Sequence, residues 1–62
     1  MGEWIKVSER LPEADTEVLT YRGHKNFIYV ETFWGDGSWS EDLWVSRKVT
    51  HWKPLPPPPE AD

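Results

Sequence analysis

Phe27-Ile28-Tyr29-Val30-Glu31-Thr32-Phe33-Trp34, followed at once by Gly35-Asp36-Gly37, decides the fold class. Every residue of the run except Glu31 is β-branched or aromatic, the composition that fits a pleated strand. The glycine-flanked aspartate after it is a turn signal, and Asp-Gly is the strongest short hairpin dipeptide. On the N-terminal side, Gly23-His24-Lys25-Asn26 forms a second turn, and residues 17–22 (E-V-L-T-Y-R) form the strand before it. A symmetric turn at 23–26 sets Arg22 opposite Phe27, Tyr21 opposite Ile28 and Leu19 opposite Val30. Side chains alternate with period two, so Leu19, Tyr21, Ile28, Val30, Thr32 and Trp34 share one face. Val18, Thr20, Arg22, Phe27, Tyr29, Glu31 and Phe33 share the other. The first face is the expected core.

After the second turn, Ser38-Trp39-Ser40 is expected to begin a further antiparallel strand. A two-residue Asp36-Gly37 turn would set Trp34 opposite Trp39. A three-residue turn over 35–37 would instead set Phe33 opposite Trp39 on the second face. The Asp-Gly signal favours the first arrangement. Trp4-Ile5-Lys6-Val7 and Val49-Thr50-His51-Trp52 are short β-prone runs, with a polar Pro12-containing loop after the first. From Lys53 on, K-P-L-P-P-P-P-E-A-D reads as a polyproline tail. The expected fold is mainly β: a small antiparallel meander of three to five strands, closed by the N-terminal Trp4 segment and the start of the tail. Residues 1–55 form the single domain and 56–62 a proline-rich acidic tail. The expected core is Trp4, Leu19, Tyr21, Ile28, Val30, Trp34 and Trp52.

The chain has 62 residues, no cysteine and five tryptophans. A domain of this size buries only roughly 60% of the surface its unfolded chain exposes. No disulfide or thiolate–zinc site can help it, so large aromatics must build the core. The net charge of −4 opposes a general phosphate-binding surface, and no direct nucleic-acid binding is expected. No apolar stretch approaches the ~20 residues of a membrane span. The first residues lack a signal-peptide pattern, and Lys6 stands where a myristoylation signal wants Ser or Thr. A cytoplasmic location is the expectation.

Catalytic chemistry finds no foothold. His24 and His51 have no ligand spacing for zinc. Ser38, Ser40 and Ser46 stand in no nucleophile-elbow motif. Glu41 and Asp42 are adjacent, so on a strand they would point apart and could not act together on one substrate. No enzyme activity, metal or cofactor is expected. The segment 53–59 fits a basic-x-Leu-Pro-Pro-x-Pro ligand pattern, but prolines lying against aromatic rings and covering a sheet edge explain it better.

Three stretches resemble a family of short phage and prophage proteins, the domain of unknown function 551. They are Trp4-Ile5-Lys6-Val7-Ser8-Glu9-Arg10-Leu11-Pro12, then Thr16-Glu17-Val18-Leu19-Thr20-Tyr21, then Val49-Thr50-His51-Trp52-Lys53-Pro54-Leu55-Pro56. The last block is the most specific. Thr20 and Lys53 depart from the family's usual apolar residue and Met. The resemblance implies a phage or mobile-element origin and a host bacterial cytoplasm, and it carries no activity.

What remains is binding. Trp44, in the apolar cluster Asp42-Leu43-Trp44-Val45, is the foremost candidate for an exposed aromatic anchor. Glu41 and Asp42 beside it, and Tyr29 and Phe33 on the second strand face, complete the candidate partner-binding set. The second face is too apolar to leave wet, so a two-fold homodimer through Tyr29 and Phe33 is expected. The leading expectation for function is a small phage-encoded accessory protein that occludes or inhibits a host protein, such as one of a defence system. The alternatives are an oligomer that sequesters a small molecule such as a nucleotide, and a structural accessory with no ligand.

Overall fold

A computed structural model of the chain describes residues 3–56. They form one four-stranded antiparallel sheet: β1 (Ile5–Lys6), β2 (Thr16–Tyr21), β3 (Ile28–Phe33) and β4 (His51–Pro54). The spatial order is β1-β4-β2-β3, so the last strand enters between the first two. The fold is mainly β, and no described residue is helical.

The central hairpin has the register its apolar alternation prescribes. Tyr21 pairs with Ile28 and Leu19 with Val30, and the Arg22 amide donates to the Phe27 carbonyl at 2.9 Å. The face assignment is reversed. Val18, Thr20, Arg22, Glu31 and Phe33 are buried. Of the residues expected in the core, only Trp52 is buried. Leu19 and Tyr21 are half-buried, while Trp4, Ile28, Val30 and Trp34 are 37%, 46%, 50% and 50% exposed. The cause is the segment joining β3 to β4, which folds across the second face. It brings Trp39 and Val49 onto Val18, Phe33 and Trp52, with Ile5 and Val7 against the cluster. The two charges on that face neutralise each other, so the face could close despite carrying them.

The turn after β3 is the three-residue one. Phe33 pairs with Trp39 in an isolated bridge, and the Trp34 amide donates to the Ser38 carbonyl at 3.1 Å. A two-residue type I′ turn needs positive φ at both of its residues. Gly35 and Gly37 take it, at 98° and 94°, whereas Asp36 is not among the positive-φ residues. Asp36 instead accepts hydrogen bonds from the Ser38 amide at 3.0 Å and hydroxyl at 2.6 Å. At Gly35 a Cβ would lie 2.5 Å from that of Ala14, so only glycine fits. Residues 38–40 therefore make a single bridge rather than a strand.

β4 runs further than the sequence suggests. Lys53 and Pro54 pair with Leu19 and Val18, so both belong to the sheet and not to a tail. A proline is tolerated at this strand end because no ladder continues beyond it. The ligand-like pattern of 53–59 continues past Pro56 and there lies outside the described residues.

Candidate functional site

The segment that covers the core also builds the most exposed apolar feature. Residues 39–45 form tight turns: the Asp42 amide donates to Trp39 O at 3.0 Å, and those of Trp44 and Val45 to Glu41 O at 3.0 and 2.9 Å. At the tip stand Leu43 and Trp44, 88% and 80% exposed. An isolated exposed leucine needs no explanation, but two large neighbouring apolar side chains almost wholly in water do.

The base of this turn is fixed by a buried polar network. Arg22 reaches along the covered face of the sheet to Glu31, with Nε–Oε2 at 2.9 Å and Nη2–Oε1 at 2.7 Å. Both side chains are fully buried. Arg22 Nη2 also donates to Asp42 Oδ1 at 3.0 Å, and Nη1 donates to the Arg47 carbonyl. Asp42 Oδ2 accepts the Trp39 amide at 2.8 Å. Glu31 Oε1 accepts the Glu41 amide at 3.3 Å, and the Thr20 hydroxyl donates to Glu31 Oε2. Every buried side-chain polar atom among the described residues has a partner, as a buried network requires. Burial works against the Arg22 charge, but the hydrogen bonds and charges of Glu31 and Asp42 outweigh it and raise its pKa. One guanidinium thus ties β2, β3 and both ends of the 42–47 segment together.

The sequence-based candidates fall into two groups. Trp44 stands at the exposed tip, with Glu41 and Asp42 at its base. Asp42 is spent on Arg22 and the Trp39 amide, so the turn offers less free negative charge than its sequence implies. Tyr29 is half-buried and Phe33 buried on the covered face. Phe33 packs on Trp39 with ring centroids 4.8 Å apart, so the dimer face expected there is occupied by the chain's own segment. Sequence reasoning missed the exposure of Leu43 beside Trp44 and the part of Arg22 as organiser. The apolar Leu-Trp-Val run within a polar stretch signalled Leu43, and no local pattern signalled Arg22.

Two further surfaces complete the site. The uncovered sheet face bears Trp4, Tyr21, Ile28, Val30 and Trp34, with Lys53 Nζ 5.3 Å from the Trp4 ring centroid and the Tyr21 and His51 rings edge to face at 5.7 Å. Beside the covering segment lies an open cleft of about 550 Å³, walled by Val7, Leu11, Trp39, Val45 and Val49 and lined as well by Asp42, Arg47 and Lys48. Among the described residues no His, Asp or Glu cluster could hold a metal ion. No helix there is long and apolar enough to cross a membrane.

The family model described as "Protein of unknown function (DUF551)" matches residues 3–60. Among curated proteins, the chain is 39% identical over 64 residues to the "Uncharacterized 7.8 kDa protein in ral-gp17 intergenic region" of Salmonella phage P22, covering 92% of this chain and 96% of that one. No solved structure matches.

Proposed function

The chain belongs to the DUF551 family of small proteins of unknown function, which has a member in a phage, and on that premise we propose that it is a binding protein that docks on a protein of the bacterial host. Docking occludes the host protein's working surface. The observation that carries this reading is the near-complete exposure of Leu43 and Trp44 on a turn held by a buried ionic network. Tryptophan is enriched among interface hot spots, where truncation costs about 2 kcal/mol or more. A turn already fixed by Arg22 loses little conformational freedom on binding, which favours affinity. The partner this geometry suits has an apolar cleft wide enough for a Leu-Trp pair. The net charge of −4 steers the chain toward basic surfaces.

The cleft beside Trp39 supports a second reading, in which Lys48 and the apolar walls hold a small anionic ligand such as a nucleotide. Its volume of about 550 Å³ falls within the range of small-molecule sites, about 300–1,000 Å³.

Affinity recovery from host cells, with the chain as bait, tests the first reading. A host protein retained by the wild type and lost with Trp44→Ala supports it. Equal retention by both removes Trp44 from the interface. A rise in melting temperature with nucleoside phosphates, lost in Lys48→Ala, would favour the second reading.

A further inference from the structure

β3 is an end strand of the sheet, and its hydrogen-bonding pattern fixes which backbone groups are left at the edge. In a strand, the N–H and C=O of one residue point to one side and those of the next to the other. Phe27 and Phe33 point inward, their carbonyls accepting the Arg22 and Asp15 amides. Thr32 points outward: its carbonyl accepts the Ser40 amide at 3.0 Å, and its own amide donates to Ser40 Oγ at 3.0 Å. Ile28 and Val30 share the parity of Thr32, so their N–H and C=O groups face away from β2, where the sheet has no further strand among the described residues. Ser40 closes the edge at Thr32. At the other end the strand stops at the 23–26 turn, where the Phe27 amide returns to His24 O at 2.8 Å on the hairpin side.

We infer that this short open edge pairs with the same edge of a second copy, making a two-fold dimer centred on Tyr29. The outward groups lie symmetrically about that residue. An antiparallel copy in register sets Ile28 opposite the second copy's Val30, and Val30 opposite its Ile28. Each pair exchanges two hydrogen bonds, so all four donors and acceptors left open at these positions are satisfied at once. A two-fold contact of this kind needs one self-complementary patch, and Ile28-Tyr29-Val30 is one. Its length favours a copy of itself over a foreign strand, because a longer partner would meet Ser40 after Thr32.

The side chains agree. Ile28 and Val30 stand half-exposed on the uncovered face, and the pairing sets each β-branched side chain beside another. Unlike many edge strands, β3 carries no lysine or proline to deter pairing, and its single charge, Glu31, is turned inward and buried. The product is one eight-stranded sheet whose open apolar faces run on from copy to copy.

Sedimentation of the full chain over a range of concentrations, with amide hydrogen exchange, tests this. The expected result is a dimer in which the Ile28 and Val30 amides exchange at least tenfold more slowly than in the dilute monomer. Val30→Pro removes an N–H that the single chain does not use. It is expected to give a monomer with unchanged near-ultraviolet circular dichroism. If Val30→Pro disturbs the fold, Val30→Lys, which places a charge on the edge, is read in its place. Trp34→Ser, away from the edge, is expected to leave the dimer intact. A wild-type monomer at every concentration overturns the inference. So does a dimer that survives Val30→Lys, or one that Trp34→Ser alone dissociates, which would mean that the sheet faces stack instead.

Discussion

Arg22, the residue after β2, and Glu31 of β3 lie diagonally across the central hairpin, joined by two hydrogen bonds of 2.9 and 2.7 Å with both side chains fully buried. In a domain this small, that pair and its attachment to Asp42 decide which sheet face closes and where the covering segment sits. Removing one member leaves an unpaired buried charge, which costs about 3–5 kcal/mol. The whole domain is expected to be worth only roughly 3–9 kcal/mol, at about 0.05–0.15 kcal/mol per residue. Arg22→Met alone and Glu31→Leu alone are therefore expected to unfold the chain or nearly so. The double variant should recover much of the loss, because an apolar pair replaces a desolvated one. Denaturant melts of the three variants check this. Equal losses in the double and either single variant would contradict it.

The uncovered face makes the opposite prediction. Val30 is half-exposed, so Val30→Thr should change the stability of the dilute monomer by no more than about 0.5 kcal/mol. The same change at a buried site would bring a hydroxyl into apolar surroundings at about 1–3 kcal/mol. A thermal melt at low concentration separates the two.

Trp52 is buried between β1 and β2, opposite Ile5 and Thr20. Its indole N–H donates to Arg10 O at 2.8 Å, which pins the loop after β1. Trp52→Ala is expected to cost about 3–5 kcal/mol, read by urea denaturation. A loss below about 1 kcal/mol would mean that the indole does not organise the core.

Asp36 provides a pH signature. Hydrogen bonds from the Ser38 hydroxyl and amide hold its carboxyl below the ordinary value. A carboxyl depressed in the folded state binds fewer protons there than in the unfolded chain. Its stabilising contribution is present above the ordinary carboxylate pKa of about 3.9 and fades as pH falls through the depressed folded value. Carbon-detected NMR titration should find Asp36 depressed in the wild type and returning toward the ordinary range in Ser38→Ala. An unchanged titration would contradict the hydroxyl's part.

Much of the sheet was legible in the sequence because it follows from alternation. The pairing of Leu19 with Val30 needs only two apolar runs and a turn between them. The choice of buried face did not follow, because it depends on residues far away in the chain. The face with Leu19, Tyr21, Ile28, Val30 and Trp34 is the more apolar in its own strands. The segment carrying Trp39 and Val49 nevertheless folds over the other one, where Arg22 can reach Glu31, Asp42 and Arg47 O together. A charge counted as polar in isolation becomes acceptable in a core once its partner lies across the hairpin, and only three-dimensional structure reveals that. The Asp36-Gly37 signal failed for a local reason: Gly35 takes the positive φ and Asp36 caps Ser38. Trp44 was legible as an aromatic in a polar stretch, whereas the network beneath it was not.

If the Arg22 network holds Leu43 and Trp44 ready for a partner, calorimetric titration of the recovered host protein reads that out. Trp44→Ala should weaken binding by about 2 kcal/mol or more, roughly 30-fold. Asp42→Asn keeps both anchor side chains but loosens their base, and it should weaken binding while leaving the melting profile of the sheet recognisably native. Affinities unchanged in both variants would leave the turn without a part in recognition.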